Sequence, residues 1–328
     1  MNKHSKGRLC AAVVSAFAAL CALTLSPAVQ AQGAYPNRPI TFVVPYPAGA
    51  ASDTVARTIA HNLQKAWGQP VLVQNKPGAS GMIGANFVAK APGDGYTVLV
   101  SNTSLIQLPM MTKLPFDPFK DLAPVVQTIR IANLLMVPRN APANSLDDFV
   151  KAAKKEPGKI NYGTWGAGSS AHIHGELLSQ QTGTQLVAVP FQGSAPMMTA
   201  LIGGQIDSGI ADVASARPHA KSVKILAVSG PERVAAFPDV PTFTELGYKS
   251  FEPRGWHGLF MPAGTPEALV SKMSVEVNRI LKLPDVRAAI DALGVLPGGG
   301  TPQEFADAMK SDAKTYAAVI KAANIRLD

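Results

Sequence analysis

Cysteine is almost absent from this chain, and its scarcity limits the chemistry that the protein can carry out. The two cysteines among the 328 residues, Cys10 and Cys21, lie close to the N-terminus. Basic residues there precede an apolar run from Leu9 to Leu25, and small residues lead up to Ala31, so residues 1–31 have the pattern of a cleaved export signal. The run, about 17 residues long, is at the lower limit for a membrane anchor. We therefore expect a mature chain without disulfides, thiol nucleophiles or cysteine metal sites in an oxidising compartment.

Charged residues are also scarce, which argues against a polyanionic partner. They make up 16% of the chain, the net charge is +8, and no basic run is longer than Lys154–Lys155. Nucleic-acid binding is therefore not expected. Hydrophobic residues reach 47%, which indicates a globular chain, and the length suits about two domains. No stretch after the export signal is apolar enough to predict a membrane span.

The sequence patterns of nucleotide and metal sites are missing too. Gly78–Gly84 and Gly166–Gly168 each lie between an expected strand and an expected helix, but no acidic residue ends the strand that follows either of them. A phosphate-binding G-K-S or G-K-T ending does not occur. His172, His174 and Glu176 resemble a metal set, but residues two apart on a helix point in nearly opposite directions. We expect no cofactor and no metal.

A serine hydrolase stays open as an alternative, although the G-x-S-x-G motif of a nucleophile elbow is absent. Such an enzyme needs a histidine within hydrogen-bond reach of the serine hydroxyl. The candidates are Ser169 or Ser170, His172 or His257, and Asp207 or Asp212.

What the sequence does contain is a repeated strand–turn–helix pattern. Residues Ile40–Pro45 form a β-rich run, and Val55, Ile59 and Leu63 follow at helical spacing. Five further β-rich runs precede short polar turns, at residues 71–74, 96–100, 160–162, 186–190 and 225–228. This alternation predicts an α/β fold with parallel sheets covered by helices on both faces.

Two threonine–proline pairs near the C-terminus predict helix starts. Thr265-Pro266 and Thr301-Pro302 would each place threonine at the N-cap and proline at the first helical position. Glu304 follows Thr301 by three residues, which predicts a capping box there.

The turns that follow the strands share one chemistry. Open α/β sheets bind ligands beyond the carboxyl ends of their strands. These turns are small, uncharged and rich in N–H and O–H donors, and three of them lead into helix N-termini, where unpaired N–H groups favour an anion. They are Pro47–Ser52, Ser101–Ser104, Gly163–Ser170 and Gln192–Ser194. A carboxylate is the expected ligand, although such residues also form ordinary turns and N-caps.

Two side chains within or beside these turns invite separate interpretations. An indole in a glycine-rich turn has little local core to join, so Trp165 either fills the space between two domains or forms one wall of a ligand cleft, and the sequence leaves both open. The negative charge of Asp53 is expected to stabilise the N-terminus of the first helix.

A series of short motifs runs through the chain in a definite order. The motifs are Tyr35–Ile40, Val44–Gly49, Gly68–Pro70, Asn75–Ala79, Asp94–Thr97, Leu114–Pro118, Asn161–Thr164, Gly168–His172, Gly203–Asp207, Phe237–Thr242, Trp256–Phe260 and Pro262–Pro266. Taken together they resemble the Bug family (TctC-like) of periplasmic solute receptors, which serve tripartite tricarboxylate transporters. Each motif alone is weak, but the set covers nearly the whole mature chain.

The resemblance implies a two-lobed type II periplasmic binding protein. Two doubly wound α/β domains would be joined by two crossing strands, with the ligand held between them. The crossings are expected within Val125–Val137 and Trp256–Met261. Domain 1 would comprise residues 32–131 and 252–328, and domain 2 would be the inserted residues 132–251.

The resemblance also implies ligand contacts from the four turns, through backbone amides, hydroxyls and bridging waters. Carried onto this sequence, the ligand-binding residues would be Tyr46, Ala48, Gly49, Ala50, Ala51, Ser52, Ser101, Asn102, Thr103, Gly163, Thr164, Trp165, Gly168, Ser169, Ser170, Gln192, Gly193, Ser194 and Asp212. No arginine occurs in the four turns. Neutral donors and water should therefore hold the carboxylate, and affinity should depend only weakly on salt.

The implied function is a non-enzymatic, monomeric periplasmic receptor that closes on a small carboxylate and presents it to membrane transporter subunits. A sensor kinase ectodomain is the alternative partner. Two departures from the family pattern bear on the ligand: Ala50 stands where many relatives have a second glycine, and Trp165 where the residue is often small. Trp165 favours an aromatic or flat acid over a short di- or tricarboxylate.

Overall fold

Two β-sheets organise the part of the chain that a computed structural model describes, which is residues 35–49, 51–191, 193–251, 255–323 and 325–326. Residues Arg38–Asp328 form one compact unit. The expected export signal with its cleavage site, and the predicted site residues Ala50 and Gln192, lie outside the described residues.

Eleven strands are found in the described residues. They are β1 (Ile40–Val44), β2 (Val71–Asn75), β3 (Thr97–Asn102), β4 (Leu122–Ile131), β5 (Asn133–Pro138), β6 (Asn161–Thr164), β7 (Val187–Pro190), β8 (Ser208–Asp212), β9 (Val223–Val228), β10 (Gly255–Pro262) and β11 (Leu296–Gly299). The first sheet has the order β11-β4-β10-β3-β1-β2, and the second has the order β7-β6-β8-β5-β9.

The predicted α/β fold is confirmed, but the sheets are mixed, so the prediction of parallel sheets was wrong for part of each sheet. In the first sheet β1 runs parallel to β2 and β3, but β10 runs antiparallel to β3 and β4. In the second sheet β6 is parallel to β7 and β8, while β5 is antiparallel to β8 and β9. β5 follows the passage out of the first sheet and β10 follows the passage back, and both are antiparallel to their neighbours. β11, which follows α9, also pairs antiparallel with β4.

The α-helices of the described residues surround these sheets. They are α1 (Ala51–Trp67), α2 (Met82–Ala89), α3 (Ser104–Gln107), α4 (Leu146–Lys155), α5 (Ser170–Thr182), α6 (Ser194–Ile202), α7 (Val213–Ala216), α8 (Glu267–Ile280), α9 (Pro284–Ala292) and α10 (Pro302–Ala322). None of the helices in the described ranges is both long enough and apolar enough to cross a membrane.

The periodic apolar positions of α1 are buried as predicted. Val55, Ile59 and Leu63 are at most 2% exposed, so this stripe packs α1 onto the first sheet. The predicted capping box of α10 is also confirmed, because Thr301 Oγ1 accepts from Glu304 N–H and the glutamate accepts from Thr301 N–H. The N-cap prediction for Thr265 was wrong: α8 starts one residue later with Pro266 at the N-cap, and the Thr265 hydroxyl makes no hydrogen bond within the described residues.

The chain passes from the first sheet to the second where β4 ends and β5 begins, at Ile131–Asn133. Asn133 N–H donates to Ser229 Oγ at 2.9 Å, and Ser229 N–H donates to the Asn133 carbonyl at 2.8 Å. Ser229 follows β9, from which the chain leads back towards the first sheet. The outgoing and returning connections are therefore tied together. The expected domain boundaries at residues 131/132 and 251/252 stay predictions.

One apolar cluster continues from the first sheet into the second. It includes Phe305 and Tyr316 of α10 together with Ile173 and Leu177 of α5. Gln180 Nε2 of α5 also donates to the Val319 carbonyl of α10 at 3.4 Å. Packing of α10 on α5 thus links the half of the molecule that contains the first sheet to the half that contains the second sheet. This contact adds to the strand connections between the two halves.

Candidate functional site

A cleft of about 460 Å³ lies between the two sheets and is the candidate ligand site. Its volume is within the range of small-molecule pockets. Residues from both halves line it, and they include many that the sequence predicts: Tyr46, Ser52, Asn102, Thr103, Trp165, Ser169, Ser170, Gly193, Ser194 and Asp212. The turns after β1, β3, β6, β7 and β8 therefore come together at one place, as expected for the carboxyl ends of α/β strands.

Six of the predicted residues lie in or just before the turns but do not line the cleft: Ala48, Gly49, Ser101, Gly163, Thr164 and Gly168. A Cβ on Gly163 would lie 2.5 Å from Ile206 Cδ1, so this glycine allows close packing. Thr164 Oγ1 closes the glycine-rich turn by donating to the Gly166 carbonyl. Gly168 N–H donates to His172 Nδ1 at 3.1 Å.

Asp53 holds the turn that precedes α1. Its carboxylate accepts from Gly49 N–H at 2.9 Å, Asn75 Nδ2 at 2.9 Å and Arg57 Nε at 3.0 Å, and it is 3% exposed. The Arg57 hydrogen bond, with further donors, lowers the pKa of Asp53 to about 2. Because Gly49 N–H is already taken by Asp53, this amide supports the site and is not a donor for a ligand.

The Asn102 amide is oriented before any ligand arrives. Its Oδ1 accepts from Tyr46 O–H at 2.8 Å and from Ser104 N–H at 2.9 Å. Burial raises the pKa of Tyr46 to about 12, so the phenol stays a neutral donor at physiological pH. Since both donors hold Oδ1, the Nδ2 hydrogens of Asn102 are directed elsewhere, and no described group accepts from them. They are suited to an oxygen atom in the cleft.

Two helices of the second half begin at the cleft. At α5 the N-cap Ser169 accepts from His172 N–H at 3.3 Å. At α6 the N-cap is Gly193, and no described side chain caps the helix. The first N–H groups of α5 and α6 have no intrahelical partner and carry the positive end of the helix dipole. Together with the start of α1 they surround the cleft with neutral donors.

Trp165 and Asp212 form the remaining wall of the second half. Trp165 lines the cleft and also packs against two hydrophobic clusters, so it forms one wall of the cleft, while its filling of the space between two domains stays a prediction. Among the described lining residues Asp212 is the one acid, and its Oδ1 caps α7 by accepting from Ser215 N–H at 2.8 Å. Neither lysine nor arginine is found among the described lining residues.

Sequence reasoning missed five residues that line the cleft: Gln107, Ile131, Gly255, Trp256 and His257. His257 is the cross-strand partner of Asn102, but the two residues are far apart in the chain, so only strand register brings them together. Burial lowers the pKa of His257 to about 4, which makes it neutral. Trp256 Nε1 donates to Asp312 at 3.0 Å, and burial raises the pKa of this carboxyl to about 7. The sequence motif Trp256–Phe260 was the signal that could have placed Trp256 and His257 in the site.

Within the described residues no hydrogen bond joins the hydroxyl of a candidate serine to the ring of a candidate histidine. Ser169 Oγ donates to the Gly166 carbonyl at 2.7 Å, and His172 Nδ1 accepts from Gly168 N–H. Asp207 accepts from Asn161 N–H and does not line the cleft. Within the described residues no group of three or more histidine, cysteine or acidic side chains could hold a metal ion. The uncharged donors that line the cleft suit the binding of an oxyanion.

Comparison with known proteins agrees with this geometry. Residues 55–325 match the model of the tripartite tricarboxylate transporter family receptor. The chain belongs to this family. Among its relatives, Protein BugT of Bordetella pertussis is 33% identical over 298 residues, which is 89% of this chain and 91% of BugT. The resemblance to Bug receptors is thereby confirmed, and receptors of this family are periplasmic.

Solved structures of family receptors share the two-lobed fold. The R. palustris protein Rpa4515 with adipate has a TM-score of 0.77 and 32% identity, over 89% of this chain and 99% of that protein. MatC from Rhodopseudomonas palustris with bound malate has a TM-score of 0.73 and 32% identity, over 87% of this chain and all of MatC. Both of these family receptors were thus solved with small carboxylates.

Proposed function

We propose that this family member is a periplasmic receptor that captures a small carboxylate between its lobes, residues 32–131 with 252–328 and residues 132–251, and delivers it to a tripartite tricarboxylate transporter. One observation carries the proposal: the cleft between the sheets is lined by uncharged donors from both halves and, among the described residues, by no lysine or arginine. Adipate and malate bound to two relatives support the same ligand class.

The lobes contribute different donors to the proposed clamp. The first provides the oriented Asn102 amide and the start of α1, and the second provides the starts of α5 and α6. A ligand that bridges these donors stabilises the closed arrangement, because neither lobe alone supplies the full set. The transporter would then recognise the closed form.

A panel titration tests the binding step. We expect at least one of adipate, malate, citrate and benzoate to bind the purified protein in calorimetry and to be recovered unchanged. Raising NaCl from about 0.05 to 0.5 M should change affinity less than about threefold, since neutral donors line the cleft. Consumption of the acid would instead favour the hydrolase alternative, and a steep loss with salt would contradict recognition by neutral donors.

The isosteric variant Asn102→Asp tests the site itself. The carboxylate introduced at this position could still accept from Tyr46 and Ser104, but it would replace the free Nδ2 donors with a negatively charged oxygen. We expect acid affinity to fall at least about tenfold through repulsion of the ligand carboxylate. Asn144→Asp is the matched control, because Asn144 is exposed and outside the cleft. Equal acid affinities of the two variants would show that Asn102 does not contact the ligand.

A further inference from the structure

A second concave site lies on the first sheet and shares no lining residue with the ligand cleft. It is a cavity of about 400 Å³. Its polar side chains are Gln127 and Arg130 of β4, Asn278 of α8, and Lys282 and Arg287 near the ends of α8 and α9. Gly298–Gly300 complete its wall. The volume is that of a small-molecule pocket.

A β-bulge explains why Gln127 and Arg130 line the same cavity. Residues three apart in a regular strand point to opposite faces. In β4, however, His257 pairs with Ile129 while Gly258 pairs with Gln127, which leaves Thr128 as an extra residue. The extra residue shifts the alternation by one position, so Gln127 and Arg130 reach the same side.

The glycine wall is held in place by its neighbours. A Cβ on Gly298 would lie 2.3 Å from the Gln127 carbonyl oxygen, so the two strands approach each other more closely than a side chain allows. Asn278 fixes the next turn: its Oδ1 accepts from Gly300 N–H at 3.0 Å and its Nδ2 donates to the Gly300 carbonyl at 2.9 Å. The backbone of the cavity is therefore preformed.

Three cations line this cavity without an acidic partner. Within the described residues Arg130, Lys282 and Arg287 form no ion pair, whereas Arg279 on the same helix as Asn278 pairs with Glu276 at 2.6 Å. Arg130 Nε is buried and has no hydrogen-bond acceptor in the described structure. A buried guanidinium donor without an acceptor costs free energy, and an oxyanion would satisfy it.

We propose that this cavity binds a small, multiply charged oxyanion of the phosphate class. Arginine forms paired hydrogen bonds with phosphate oxygens, lysine adds a point charge, and three cations favour a ligand with more than one negative charge. Glu304 approaches Gly300, but its carboxylate is engaged by Thr301 N–H in the capping box of α10. The site thus recognises charge, in contrast to the neutral donors of the ligand cleft.

Calorimetry with inorganic phosphate at low ionic strength tests the proposal. We expect one equivalent to bind and the dissociation constant to rise steeply with NaCl. The double variant Lys282→Gln/Arg287→Gln should weaken phosphate binding at least about tenfold, and because both side chains are exposed, the fold should be kept. Arg139→Gln, which removes an exposed arginine elsewhere, is the matched control and should bind phosphate like the unchanged protein.

Competition separates this site from the cleft. The Asn102→Asp variant should keep its phosphate affinity, and saturating carboxylate should not displace phosphate. No phosphate binding to the unchanged protein, or equal affinity in the double variant and the Arg139→Gln control, would overturn the proposal. Displacement of phosphate by the carboxylate ligand would place the anion in the cleft instead and would overturn it as well.

Discussion

At the scale of single residues, the site depends on side chains whose hydrogen bonds are already made. Asn102 owes its orientation to Tyr46 and Ser104, and the turn before α1 owes its shape to Asp53. Asp53 shapes its turn without lining the cleft, whereas Asn102 lines the cleft and keeps its Nδ2 hydrogens for a ligand. Substitutions should separate the two roles.

Trp165 should determine which acids fit. Trp165→Ala removes a flat apolar wall, so we expect the affinity for benzoate to fall by about fivefold or more while that for malate changes little. Trp165→Phe keeps an aromatic face and should retain most of the benzoate affinity. Calorimetric titration of both acids against both variants measures this. An equal loss for benzoate and malate in the alanine variant would rule out a stacking role.

Asp53 should stabilise the fold at neutral pH. Asp53→Asn replaces an acceptor oxygen by an amide that would face the donors Arg57 and Asn75, and we expect a loss of about 1–3 kcal/mol in the free energy of unfolding. Asp147→Asn breaks another i,i+4 ion pair, with Lys151, but its carboxylate is 69% exposed, and it should cost less than about 0.5 kcal/mol.

The pH dependence of this effect has a definite sign. The pKa of Asp53 is about 2 in the folded protein and lies below its unfolded value, so the carboxylate stabilises the fold above about pH 4. That contribution disappears as pH falls towards 2. Urea unfolding of the unchanged protein and the Asp53→Asn variant at several pH values should therefore show the two proteins converging in acid. A constant difference between them would contradict the ionic role.

At the scale of secondary structure elements, α5 can lie against β6 only because Gly175 has no side chain. A Cβ there would lie 2.0 Å from Cε2 of the buried Tyr162 ring. We expect Gly175→Ala to lower the free energy of unfolding by about 1–3 kcal/mol, although alanine favours helix formation. Gly264→Ala, with no heavy atom within 4 Å of its new Cβ, should change it by less than about 0.5 kcal/mol. Similar unfolding midpoints in urea for both variants would refute this packing argument.

Local patterns in the sequence predict the elements better than their long-range pairing. The apolar positions of α1 and the capping box at Thr301 are encoded within a few residues, and both are confirmed. The register that places His257 opposite Asn102, and the bulge at Thr128, depend on strands far apart in the chain. Trp256 was missed for the same reason.

The candidate site shows the same contrast between local sequence signals and contacts that form only in the folded chain. The polar turns after the strands could be located from sequence, because glycine and serine before a helix are local signals. Which of their amides face the cleft could not, since Gly49 is engaged by Asp53 and Gly168 by His172 only in the folded chain. Thr265 shows the limit of a local signal, because a threonine before proline need not become the N-cap.

At the scale of the whole molecule, we propose that two lobes close on an acid. The connections at Asn133 and Ser229 are tied by two hydrogen bonds, and α10 packs on α5 as a further link between the halves. These contacts would act as the hinge, while the cleft receives donors from both lobes. Ligand binding and lobe closure should therefore be one event.

Small-angle X-ray scattering during titration with the tightest-binding acid of the panel measures whether the lobes close on the ligand. We expect the radius of gyration to fall as acid is added and the change to saturate at the calorimetric stoichiometry. The Asn102→Asp variant should need at least about tenfold more acid for the same contraction. Full occupancy of the cleft with an unchanged radius of gyration would contradict capture by closure.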